Sequence, residues 1–159
     1  MSEVTLMATK NYDSIFLNSQ RRADLNESGE TITVLLFNPG MYPQKVQLEC
    51  TIEAMQQLVG EHLEFTAHPF DDYAVIVSLD LEHSEDCEPN RALRCPDGAI
   101  IFVFNGSFMI VGGSKEEGLC SLTAKQIRRY EMEYHQPEVF SVFGDYGVVI
   151  PLPDDLIRT

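Results

Sequence analysis

Between Lys45 and Arg91 the chain has no lysine and no arginine. Eleven carboxylates, from Glu49 to Glu88, fill that gap, and the net charge of the whole chain is -14. A field of this sign repels phosphate, which argues against direct nucleic-acid binding through this region and against docking on an anionic membrane. It suits a basic protein partner or a cation. Solubility alone is the plainer use of the same charge.

Long apolar runs are missing too. The longest, Ala99 to Phe104, falls far short of the ~20 residues that a spanning helix needs. Met1 to Lys10 has neither a basic start nor a continuous apolar core, so no secretory leader is expected there. A soluble, cytoplasmic protein is the expectation. The four cysteines, Cys50, Cys87, Cys95 and Cys120, form no Cys-x-x-Cys pair and read as reduced thiols.

Catalytic signatures are lacking as well. There is no Gly-x-Ser-x-Gly elbow, and His62, His68, His83 and His135 are scattered along the chain. Val111-Gly112-Gly113-Ser114-Lys115 has the wrong glycine spacing for a phosphate cradle and reads as a turn. His83, Cys87 and Cys95, with Cys120 as a fourth, are too irregularly spaced for a zinc finger or ribbon. The stretch Asp80 to Asp86 lacks the glycine and the alternating oxygen ligands of a calcium loop. No catalytic residue, metal or cofactor is therefore assigned, and the balance leans away from an enzyme.

What is present is a run of short elements. At 159 residues with 44% hydrophobic content, the chain fits one domain. Residues 1–30 read as an N-terminal extension, either a short helix or a segment for a partner chain. Residues 31–136 form the core, and residues 137–159 add a hairpin and an irregular tail to the same domain. Thr31 to Phe37 is β-branched and apolar, so it predicts a buried strand, stopped by the turn Asn38-Pro39-Gly40. Lys45 to Glu49, Leu63 to Ala67 and Ala74 to Leu79 predict further strands. Thr51 caps a helix whose Ile52, Met55, Leu58 and Val59 share one face and which Gly60 ends. A polar acidic loop is expected from Asp80 to Asn90. Asn105-Gly106, between Ala99–Phe104 and Ser107–Val111, predicts a tight hairpin. Thr123 and Gln126 suit a capping box for a second helix, and Val139 to Ile150 predicts a terminal hairpin around Asp145. The fold class is thus α+β, a mostly antiparallel sheet with two short packed helices.

Two sets of residues stand out as candidate sites. Asn90, Arg91 and Arg94 interrupt the cation-free stretch; an arginine there pairs with a carboxylate or anchors a small anionic ligand or nucleotide. Asp71, Asp72, Asp80, Glu82, Glu85 and Asp86 are the candidate acidic face for a partner protein.

The order of motifs resembles a known family. Val34-Leu-Leu-Phe-Asn-Pro-Gly40, Thr51 to Gly60, Pro89-Asn-Arg-Ala92, Pro96-Asp-Gly98, Phe108-Met-Ile-Val111 and Ser121 to Ile127 are similar to the pattern of domain of unknown function 3846. The resemblance covers about residues 31 to 136. It implies a bacterial, phage or plasmid setting and no assigned activity. The extension and the final hairpin depart from the pattern and suit oligomerisation, a homodimer for example, or a partner. The expected function is an accessory protein that binds another protein, in its sharpest form as an acidic mimic of nucleic acid.

Overall fold

The computed structural model describes residues 28–159 except 115, 144 and 145, together with the backbone of Ser2–Val4 and Phe16–Leu17. The expected helix in the extension and the turn at Asp145 lie outside the described residues. All pairing between the named strands is antiparallel, and the α+β class holds.

Two extension segments pair with the domain itself. β1 (Ser2–Val4) lies beside the last strand, and β2 (Phe16–Leu17) pairs with Phe65 and Thr66 at the edge of the main sheet.

The main sheet then takes β3 (Thr31–Phe37), β4 (Gln44–Glu49), β5 (Leu63–Ala67) and β6 (Ala74–Leu79). β9 (Phe108–Ser114) enters between β6 and β3, giving the order β2-β5-β6-β9-β3-β4. β10 (Gly118–Cys120) pairs with the end of β9.

Strand alternation sends side chains to two faces, and both are covered. Val34, Leu36, Phe65, Val75, Val77, Met109 and Val111 form one core with helix α1 (Ile52–Val59). Thr51 Oγ1 accepts from the Ala54 N–H at 3.2 Å, so the predicted cap is in place. Leu35, Phe37, Ala74, Ile76, Phe108 and Ile110 face the other way, under helix α3 (Ala124–Glu133), which contributes Tyr130. Its capping box between Thr123 and Gln126 forms as predicted. Coverage on both sides explains why β3, β6 and β9 are apolar at nearly every position.

The main departure concerns the Asn105-Gly106 turn. It does not close a hairpin between its two arms. β8 (Ile100–Asn105) pairs instead with β7 (Pro89–Arg94), a strand that falls partly in the expected acidic loop. This separate ribbon lies over the second face, where Phe104 stacks on Phe108 with ring centroids 4.2 Å apart. Gly106 keeps a positive φ of 79°, as the sequence requires. Its N–H bonds to Glu88 O at 2.8 Å, so the turn is captured by the approach to β7.

The last two strands, β11 (Glu138–Phe143) and β12 (Tyr146–Pro151), form the predicted terminal hairpin and pack behind the ribbon through Ala92, Ile100, Val149 and Phe140; the tail beyond them holds a 3-10 turn at Asp154–Leu156. The short helix α2 (Leu81–Ser84) begins the loop that follows β6.

The expected turn at Gly112-Gly113 is strand. A Cβ at Gly112 would stand 2.4 Å from Ser121 O, so the glycine lets the chain after β10 pass against β9. Gly112→Ala should therefore destabilise the fold by about 1–3 kcal/mol, the usual range for forced overpacking. Urea unfolding measures it, and a neutral result would contradict this packing.

Candidate functional site

Arg91 and Asn90 are both 0% exposed. Asn90 Nδ2 donates to Phe37 O and to Gly106 O, each at 2.9 Å, and its Oδ1 accepts from Arg91 Nη1 at 2.7 Å. The Arg91 guanidinium goes to main-chain carbonyls. Nε donates to Tyr134 O at 2.7 Å, Nη2 to Met41 O at 2.6 Å and His135 O at 3.5 Å, and Nη1 to Asn38 O at 3.3 Å. Two of these carbonyls follow α3, where the last helical groups lack intrahelical donors and the dipole is negative. The other two, Asn38 O and Met41 O, come from the two ends of the turn after β3, in which the Met41 N–H donates to Asn38 O at 3.2 Å and Gly40 has φ 73°. Burial pushes the Arg91 pKa down to about 10, with Glu138 opposing the change, so it stays charged at neutral pH.

Among the described residues Arg91 thus forms no carboxylate pair, contrary to the first expectation. Neither it nor Asn90 presents surface to a ligand, so the anion-anchor expectation gains no support from their placement. Arg94 does pair, bidentately, with Glu138 at 2.7 and 3.2 Å. Glu138 Oε1 also accepts from the Ala92 N–H at 2.9 Å, which fastens β11 to β7. Arg91→Ala should cost about 3–5 kcal/mol, because buried carbonyls on two elements lose their donors. Arg91→Lys should recover only part of this, since an ammonium lacks the planar fork. Equilibrium unfolding of the two variants decides the point.

The expected acidic face is divided. Asp71 and Asp72 lie in the loop joining β5 to β6, whereas Asp80, Glu82, Glu85 and Asp86 follow β6 at the opposite end. A strand of this length separates the two groups by roughly 17 Å. Asp71 is also committed internally. Its Oδ2 accepts from Tyr130 Oη at 2.5 Å and Gln126 Nε2 at 3.1 Å, and Arg129 lies 3.8 Å away. Burial pushes the Asp71 carboxyl up, but the Tyr130, Tyr73 and Gln126 bonds outweigh that and hold it below its ordinary range.

His68, which the sequence did not single out, packs beside this network at 4% exposure, with its ring 5.2 Å from that of Tyr130. Its Nδ1 accepts from the Phe70 N–H at 3.0 Å, and Nε2 has no partner among the described residues. Burial pushes its pKa down to about 4; Asp71 resists and Arg129 assists. The folded state therefore needs neutral imidazole, while the unfolded chain takes a proton near pH 6.5. Stability from this group is complete above about pH 6.5 and is lost as pH falls toward 4, by about 3 kcal/mol. Asp71 adds its loss at still lower pH. His68→Phe should flatten the pH dependence of the urea midpoint between pH 6.5 and 4. An unchanged slope would show that His68 is not the group responsible.

Two of the scattered histidines meet at the other end of the hairpin. His62 and His83 stack with ring centroids 3.5 Å apart and planes at 14°. His83 Nδ1 lies 2.6 Å from Asp80 Oδ1. Partial burial raises the Asp80 pKa, but the main chain and ring of His83 overcome this and lower it. One donor atom from each of the three residues lies within 4.8 Å of the others. Sequence separation concealed this group, although the alternation of β5 and β6 around their loop was legible.

The architecture defines an α+β domain whose two-sided sheet is closed by a separate ribbon and an internal arginine clamp. Residues 32–135 match the family model described as Domain of unknown function (DUF3846), and the chain belongs to that family. No curated protein and no solved structure matches it. No helix of the described residues is long and apolar enough to cross a membrane.

Proposed function

We propose that this chain is a non-catalytic accessory protein of a bacterium or mobile element, and that it binds a basic protein partner at the end of the domain carrying α2. The observation that supports this most is the composition of that turn. Leu81 is 45% exposed, and exposed Glu82, Glu85 and Asp86 follow it within five residues. None of these three carboxylates forms a salt bridge among the described residues. An exposed apolar anchor among free carboxylates suits a partner that offers lysine or arginine around an apolar recess. Asp71 leaves the proposed surface because its carboxylate is already occupied, and Asp72 lies at the far end. Mimicry of nucleic acid is the sharper form of the reading, with these carboxylates taking phosphate positions on a DNA-binding protein.

The test is capture from a bacterial lysate on immobilised protein. A specific basic partner should be retained at low salt and released as salt approaches about 1 M, where the screening length is about 3 Å. It should be lost from a Glu82→Gln, Glu85→Gln, Asp86→Asn variant and weakened by Leu81→Ser. Competition by duplex DNA would support the mimic, whereas a partner indifferent to both variants would overturn the placement.

A further inference from the structure

The open end of hairpin β5–β6 brings together three side chains by main-chain geometry. The register that pairs Leu63 with Leu79 continues outward, with the Asp80 N–H donating to His62 O at 3.0 Å. Residues directly opposite in an antiparallel pair point to the same side. Asp80 then caps α2, its Oδ1 accepting from the His83 N–H at 2.9 Å. One helical turn places His83 back over the pair. The group needs no long-range accident: a strand register supplies two members and a capped turn supplies the third.

We propose that His62, Asp80 and His83 form a binding site for a borderline divalent transition metal of the zinc class, with the remaining coordination positions open to water. Two imidazoles and one carboxylate are the donor set of such ions. Calcium and magnesium take oxygen shells and have little use for paired imidazoles. Donors around one tetrahedral zinc lie about 3.3 Å apart, given metal–ligand lengths near 2.0–2.1 Å. The three donor atoms are already within 4.8 Å of one another, and both histidines are exposed enough to turn. The ion would enter where His83 Nδ1 and Asp80 Oδ1 now face each other at 2.6 Å. The exposed carboxylates of Glu61, Glu82 and Glu85 add a field that concentrates cations there. Cys87 is outside the set; its Sγ lies 3.7 Å from the His83 carbonyl oxygen.

The experiment uses the full chain without a histidine tag. Zn2+ is titrated against a chromophoric chelator, and Co2+ binding is followed by absorption. One equivalent of metal should bind, and the Co2+ complex should lack a thiolate charge-transfer band. His62→Gln and His83→Gln should each weaken binding by about tenfold or more. The double variant should abolish it while keeping the thermal midpoint of the parent measured in chelator. Cys87→Ser and the Glu82/Glu85/Asp86 variant should retain the site, so its fate is separable from that of partner binding. The proposal is overturned if the parent binds no Zn2+ at millimolar concentration. Unchanged binding by the double variant, or a thiolate band that disappears with Cys87→Ser, would overturn it equally.

Discussion

The fold turns on one buried guanidinium. Arg91 lies on β7, outside the main sheet, yet its donors reach the turn after β3 and the carbonyls that follow α3. A buried charge is costly unless every donor is met in good geometry. Here the acceptors are carbonyls rather than a carboxylate. Such an arrangement is tolerable because two of those carbonyls stand at the negative end of a helix. Asn90 completes it by joining Phe37 O, on β3, to Gly106 O, in the turn after β8. Ribbon, sheet and helix are therefore indexed to one another by two neighbouring side chains. Hydrophobic burial would bring these layers together without fixing their rotation; the fork of donors fixes it.

This constraint also explains which expectations held. Strands Thr31–Phe37, Leu63–Ala67 and Ala74–Leu79 agree with the reading from sequence, because β-branched content and alternation are local properties. The caps at Thr51 and Thr123 are local in the same way. The Asn105-Gly106 hairpin failed because turn chemistry determines φ, not the partner of the strand that follows. Gly106 takes the positive φ in either topology, and here its carbonyl accepts from Asn90 of β7, the strand that β8 pairs with. β7 itself was hidden behind Pro89, a residue that weakens any strand signal yet is tolerated at a strand's first position.

The candidate sites were less legible, for a related reason. A run of acid in the sequence looked like one face, but a hairpin carries its loop and its open end to opposite extremes. The same geometry that split Asp71 from Asp80 joined His62 to Asp80. Sequence distance misled in both directions. Asp71 and Asp80 look like neighbours and are not; His62 and Asp80 look separate and lie opposite each other. The signal that would have found the pair is register: His62 and Asp80 flank two strands equidistant from one loop.

The acid-rich end therefore contains two kinds of group with different selectivity. Glu82, Glu85 and Asp86 offer charge without fixed geometry, which favours a partner able to distribute several cations over a surface. His62 and His83 offer nitrogen lone pairs on neighbouring, adjustable rings, which a lysine or arginine cannot use as a metal can. A basic peptide gains little from the imidazoles, and a transition metal takes a field but no coordination from carboxylates beyond the nearest. The two proposed functions can share one electrostatic field without sharing contacts. A bound divalent ion would also reduce the negative potential that attracts a basic partner, so occupancy of the metal group and affinity at α2 are expected to oppose each other.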